Sequence, residues 1–395
     1  MAKRKISADR PRELEVRNMG EPVVLSEINL AGVSSHSARG GEQVDIITRL
    51  LLTSDQAFFH RIVVNLAAAM ERSARADGSH VRLDRAGMIL LVIKPDNSGE
   101  LWVDAAATSM STALKRPGPL SAGTVLFEND IADVTGIWFP HVKVGLKDRV
   151  VCLFREGWRF GLFFDFNPDG ELAIEDAKRD LAALYRRLRY ADLYAAFENR
   201  QAFPALIQAG WFPFLELMKD EFLSFVQAQE AGFELDDCER ELLTKFDEAR
   251  IDRMFDRWME RPLLRTKQLI LEPAKKAFKA KEPVSVIKIV LSEIEGVMSD
   301  AHFEATGGRT HRIDKLCAFM IAQAEQRAGG KDTLFFPVQF GEYLRDYIYS
   351  GFRPGDSGRA GSRHAVGHGA VSGEEYTMTR ALQALLTLDQ LAFYM

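Results

Sequence analysis

The sequence predicts an α+β protein: an N-terminal antiparallel sheet domain with one long helix, an all-α connector, and a C-terminal helical bundle. Three observations predict it. Short β-prone runs separated by turn residues fill the stretch from about Val81 to Phe166. No helical period interrupts those runs, so hairpins or meanders join them rather than crossover helices. After Asn167-Pro168-Asp169-Gly170, apolar residues recur at helical spacing to the end of the chain.

Taken in order, residues 1–42 lack sustained periodicity, and GVSSHSARGGEQ has the Gly and Ser content of a flexible arm. The sheet domain, 43–170, opens on one amphipathic helix. Ser54 and Asp55 start it, Phe58, Ile62, Leu66 and Met70 form its apolar stripe, and Gly78 stops it. The expected strands are MILLVI, ELWVDAA, GTVLFE, TGIWFPHVKV, RVVCLF and WRFGLFFDF, with Pro95-Asp96-Asn97-Ser98-Gly99 as a turn. Trp158, Phe160, Leu162, Phe164 and Phe166 alternate onto one face, which suits a sheet covering the helix better than a base-stacking platform. The connector, 171–262, carries helices at Asp176–Phe197, AGWFPFLELMKDEFLSFV and DDCERELLTKFDEARIDRMFDRWMERP. Its cluster Tyr185-Arg186-Arg187-Leu188-Arg189-Tyr190 is the best basic patch, but Asp176, Asp180 and Asp192 dilute it into a solvated face. The last domain, 263–395, adds helices near LLRTKQLILEPAKKAFKA, VSVIKIVLSEIEGVMSDAHF, RIDKLCAFMIAQAEQRA, PVQFGEYLRDYIYSGF and YTMTRALQALLTLDQLAFY.

Composition bounds the function. At 395 residues the chain suggests two or three packing units, and 47% hydrophobic with 27% charged residues is the balance of a chain that buries a core. The net charge of −5 gives no overall field for nucleic acid, so any such contact needs a local basic patch. Cys152, Cys238 and Cys317 are scattered without CxxC spacing, the pattern of reduced structural thiols in a cytoplasmic protein. A charged N-terminus without an apolar core, and the lack of any run of about eighteen apolar residues, predict neither export nor membrane association.

Chemistry concentrates in FRPGDSGRAGSRHAVGHGAVSGEEYTMTRALQALLTLDQ. Gly355, Ser357, Gly358, Gly361 and Ser362 precede Arg363-His364-Ala365-Val366-Gly367-His368-Gly369, and Ser372 with Glu375 reads as a capping box for the last helix. A metal-free RNA cleavage needs a base for the ribose hydroxyl and a fixed cation for the phosphoryl oxygens. Histidine and arginine supply them, because imidazole titrates near neutrality and guanidinium stays charged and grips phosphate bidentately.

With its Arg-x4-His spacing, the following Gly369, the leucine-rich ALQALLTLDQLAF and the upstream Glu293-Ile294-Glu295-Gly296, the segment 263–395 resembles the HEPN superfamily (higher eukaryotes and prokaryotes nucleotide-binding). The resemblance implies a helical domain that forms a homodimer and brings Arg and His of two protomers into one RNA-cleaving site. Arg363 would bind and polarise the scissile phosphate, His368 would act as general base or acid, and His364 would orient the pair or touch RNA. The product would be a 2′,3′-cyclic phosphate, with neither metal nor cofactor. A bacterial toxin or defence effector is the implied role, sensed or restrained by the sheet domain.

Other readings stand beside this one. On a continuous helix, residues 363 and 368 lie about 140° apart while 364 and 368 share a face, so an open turn or a dimer must bring the pair together. His364 and His368 also suit zinc, yet only the distant His311 or Cys317 offers a further ligand. A non-catalytic RNA- or nucleotide-binding or dimerisation module would keep the same loop, and Glu293 and Glu295 read as solvated acids of an amphipathic helix.

Overall fold

A computed structural model describes residues 16–167, 170–217, 219–351 and 358–395. The chain is α+β, an antiparallel sheet followed by helices, and it divides into two compact units. The first holds residues 1–111, 119–128 and 136–189; the second holds 112–118, 129–135 and 190–395. The seam therefore falls at residue 189 and not at 170. The helices expected as a connector, 171–262, divide between the two units: the first belongs to the sheet unit and the remainder shares one core with residues 263–395.

The first unit contains β1 (Val23–Leu25), β2 (Val33–Ser34), β3 (Ile46–Ile47), β4 (Arg49–Thr53), α1 (Phe59–Ala76), β5 (Met88–Ile93) and β6 (Gly99–Val103). After β7 (Ser109–Leu114) and β8 (Ile131–Trp138), which pair with each other and run across the division, come β9 (Arg149–Glu156), β10 (Arg159–Asp165) and α2 (Ile174–Arg189). Six strands form an antiparallel sheet in the order β1-β6-β5-β9-β10-β4. The β5–β6 hairpin closes at the expected Pro95–Gly99 turn, where Asn97 takes φ 66°. Asparagine tolerates that left-handed backbone better than a bulky residue.

Period two on the strands meets period 3.6 on the helix. Phe59, Ile62, Leu66, Met70 and Ala74 of α1 are buried with Ile89, Leu91, Leu101, Val151, Leu162 and Phe164 of the sheet. Phe160 and Phe166 join that face as expected. Trp158 does not: it is 95% exposed, in the turn before β10 begins, where strand alternation no longer sets its direction. Two further corrections concern strand limits. The arm expected over 1–42 includes β1, an edge strand paired to β6, while residues 1–15 lie outside the described ones. Gly123–Glu128 forms no strand, and Val125 and Phe127 within it are exposed. In the basic cluster Arg186 is buried and Arg189 is paired with Glu128 and Glu156, which leaves no continuous row of cations.

The second unit is built from α3 (Ala191–Glu198), α4 (Ala202–Gln208), α5 (Lys219–Ala231), α6 (Asp236–Lys245), α7 (Glu248–Met259), α8 (Pro262–Thr266) and α9 (Gln268–Lys279). It continues with α10 (Pro283–Thr306), α11 (Ile313–Ala328), α12 (Pro337–Tyr343), α13 (Arg363–Gly367) and α14 (Met378–Tyr394). Four expected helices are broken, one of them, 263–280, at Lys267 between α8 and α9. Asp176–Phe197 divides at Tyr190. Trp211–Leu217 is irregular and buried around Pro213, so α5 begins only at Lys219. The long acidic helix stops at Phe246, and Asp247 caps α7 by accepting from the Arg250 N–H at 2.8 Å.

The core centres on α14, which is buried on every side and packs against α10, α11, α6 and α7. Leu382, Leu385, Leu386, Leu388 and Leu391 supply the apolar volume. Four of its buried polar residues, Gln383, Thr387, Asp389 and Gln390, find hydrogen-bond partners, as a low-dielectric interior demands. Gln383 accepts from Tyr347 at 2.6 Å and donates to the Ala209 carbonyl, Thr387 meets Tyr343, and Gln390 accepts from the Leu215 N–H. Among the described residues no helix is long and apolar enough to cross a membrane.

Candidate functional site

Arg363 and His364 open a single helical turn, α13, which lies against α10. Ser362 caps the turn: its hydroxyl accepts from the Ala365 N–H at 3.4 Å and donates to the Ser350 carbonyl at 2.8 Å. The C-terminal end closes as a Schellman motif. The Gly369 N–H donates to Val366 O at 3.2 Å and the Ala370 N–H to Ala365 O at 2.9 Å. Gly369 sits at φ +68°, the left-handed residue this closure requires. The expected open turn is thus corrected: Gly367 ends a short, hydrogen-bonded helix, and His368 is its C-cap at φ −90°, ψ 0°.

The loop before the turn is pressed onto the core. A Cβ at Gly361 would lie 2.1 Å from the Tyr347 hydroxyl, so only glycine lets the backbone pass there. The Gly358 N–H reaches the Ala370 carbonyl at 3.0 Å and ties the two ends of the loop together. Gly355 and Ser357 lie outside the described residues. Ser372 makes no side-chain cap; Thr377 takes that role for α14, accepting from the Arg380 N–H, with a 3-10 turn at Gly373–Glu375 between.

Arg363, His364 and His368 all line one hollow of about 400 Å³, together with Lys288, Leu291 and Ser292 of α10. Residues 363 and 368, about 140° apart on an ideal helix, both border this hollow, with His368 at the C-cap of the turn. Arg363 and His364 are half-buried, whereas His368 is exposed. The His364 ring meets the buried Tyr349 ring edge-on at 6.1 Å, and the His364 carbonyl accepts from the His368 N–H at 3.0 Å. Burial pushes the Tyr349 phenol well above its usual range, so it stays protonated beside the site.

Arg363 is held by a carboxylate. Its Nη2 donates to Glu295 Oε2 at 2.7 Å, with side-chain exposures of 31% and 17%. The two stretches singled out by their types, RHAVGH and EIEG, therefore touch through this ion pair. Glu293 points elsewhere and pairs with Lys267 at 3.0 Å. Residues that the motif alone did not mark are Lys288 and Ser292. With Glu295 they stand at i, i+4 and i+7 on α10, a helical period that becomes informative only once Glu295 is known to face α13.

The wall can hold an anion and move a proton. Guanidinium and ammonium supply charge and hydrogen-bond donors, and the two imidazoles can donate or accept. Among the described residues no three His, Cys, Asp or Glu side chains gather in a metal-ligating cluster. No family model, curated protein or solved structure matches the chain.

Proposed function

We propose that the hollow between α10 and α13 binds RNA and cleaves it by a metal-independent, HEPN-type reaction, the activity of a bacterial toxin or defence effector. The observation that carries this reading is the convergence of Arg363, His364 and His368 on one open hollow. In this scheme the ribose 2′-hydroxyl gives its proton to His368 as its oxygen attacks the adjacent phosphorus. Arg363 leaves Glu295 to stabilise the charge that develops on the phosphoryl oxygens. The bond to the 5′-oxygen breaks, that oxygen takes a proton from solvent water, and a 2′,3′-cyclic phosphate remains. His364, half-buried against Tyr349, orients the pair. A second copy of the chain, paired through the helical unit, would set two such sites side by side.

The test is cleavage of a labelled RNA in the presence of a chelator. Arg363→Ala and His368→Ala should each lower the rate by about 10²-fold or more, the usual worth of a positioned acid, base or charge donor. Unchanged activity in both variants would overturn the reading. Binding without cleavage is the second reading, and the Glu295 ion pair favours it, because a neutralised arginine is a weaker electrophile. It predicts that wild-type protein retains RNA but produces no cyclic phosphate.

A further inference from the structure

Resting on the RNA reading of the hollow, we infer that Lys288 is a second phosphate contact, and that the site takes an oligonucleotide in which the phosphate next to the scissile one is also held. Lys288 lines the same hollow as Arg363, is exposed, and forms no ion pair among the described residues. Arg363, by contrast, is already paired with Glu295. The cation available to an arriving polyanion is therefore on α10, and it was not part of the Arg-x4-His motif.

Spacing separates the two contacts. Glu295, which marks the position of the Arg363 guanidinium, stands seven residues beyond Lys288, about 10 Å along a helix rising about 1.5 Å per residue. Helical side chains lean toward the N-terminus, and because Lys288 and Glu295 share this lean, the offset between their positions is kept. One phosphate group cannot span that distance, whereas a strand carrying successive phosphates can. The ammonium lies 5.9 Å from the centre of the Tyr376 ring. A cation at that range is attracted weakly by the ring, which biases the lysine toward the approach to α14 without fixing it.

The experiment uses the full chain and a 2′-O-methyl RNA octamer that cannot be cleaved, with a chelator present. Binding is followed by fluorescence anisotropy across a series of salt concentrations for wild type, Lys288→Gln and Lys288→Arg. Lys288→Gln should weaken binding about tenfold at low salt and lower the log–log salt slope by about 0.7, the share of one phosphate contact on a single strand. Lys288→Arg should restore the slope. With cleavable substrates, the ratio of kcat/KM for an octamer to that for a dinucleoside monophosphate should fall about tenfold in Lys288→Gln. An unchanged slope and an unchanged ratio, in a protein whose wild type cuts RNA, would overturn the role of Lys288 alone. A wild type that neither binds nor cuts RNA would overturn the reading of the hollow and this inference with it.

Discussion

Glu295 accepts from Arg363 at 2.7 Å, linking the middle of α10 to the first residue of α13. The carboxylate takes one guanidinium nitrogen, Nη2, so under the proposed function an anion bound there would compete with it. Replacing Glu295 by Gln keeps the shape and removes the charge. For a partly exposed pair the competition is worth about 1 kcal/mol, roughly a fivefold gain in affinity for RNA or inorganic phosphate. Titration of Glu295→Gln against wild type measures it. Weaker binding in the variant would show that Glu295 aims Arg363 and does not restrain it.

The backbone under the site is fixed by close approach as much as by hydrogen bonds. A methyl at Gly361 would collide with Tyr347, whose hydroxyl also donates to Gln383 at 2.6 Å and accepts from Arg380 at 3.0 Å. Gly361→Ala should therefore cost about 1–3 kcal/mol, as overpacking does, and should displace α13. Chemical denaturation and the RNA assay on one preparation check both effects. Full stability with full activity would mean that the loop can step aside.

Much of this was legible from residue spacing. Of the expected α1 stripe, Ile62, Leu66 and Met70 are buried but Phe58 is 60% exposed, with Phe59 buried in its place, because the helix begins only there. The alternation of Phe160, Leu162 and Phe164 marks a buried sheet face. Trp158 shows where that logic stops: alternation predicts a direction only inside a paired strand, and one residue beyond its end the side chain is in solvent. Lys288, and the role of Glu295 as a site-lining acid and not a solvated one, were hidden for a related reason. A charged residue on an amphipathic helix reads as solvated until the neighbouring element is known, and α13 follows α10 only after α11 and α12. The end of the supposed connector was hidden because α3–α7 have apolar faces of their own, and nothing in a period says which partner covers them.

The cysteines should divide by burial. Burial raises the Cys152 thiol from its ordinary 9.0 to about 12 and the Cys317 thiol to about 11. A folded pKa above the unfolded value contributes stability that is complete below about pH 8.5 and is lost as pH rises through the folded value. The two thiols thus favour the fold at neutral pH and cease to do so between about pH 9 and 12. They should also resist an aromatic disulfide reagent at pH 8, while the half-buried Cys238 reacts first. Mass spectrometry of briefly labelled native protein reads the order. Early labelling of Cys152 would contradict its placement in the sheet.

The largest single stability loss is expected far from the hollow, at Arg257. Its Nη2 donates to both oxygens of Asp389 at 2.8 Å and to Glu216 at 2.7 Å, and Trp258 Nε1 donates to the same aspartate at 2.7 Å. Asp389 lies on α14, fully buried, so its charge depends on these donors. Removing the arginine leaves a carboxylate that must either stay charged in a low-dielectric interior or take up a proton. Both are costly, and breaking one side of such a pair typically costs about 3–5 kcal/mol. Arg257→Met should show that loss in urea unfolding. The double variant Arg257→Met with Asp389→Leu should recover a large part of it, because an apolar pair of similar volume removes the orphaned charge. Equal losses in the single and double variants would mean that the guanidinium contributes through its ring contact alone, since its Cζ also lies over Phe393, 5.0 Å from the ring centre.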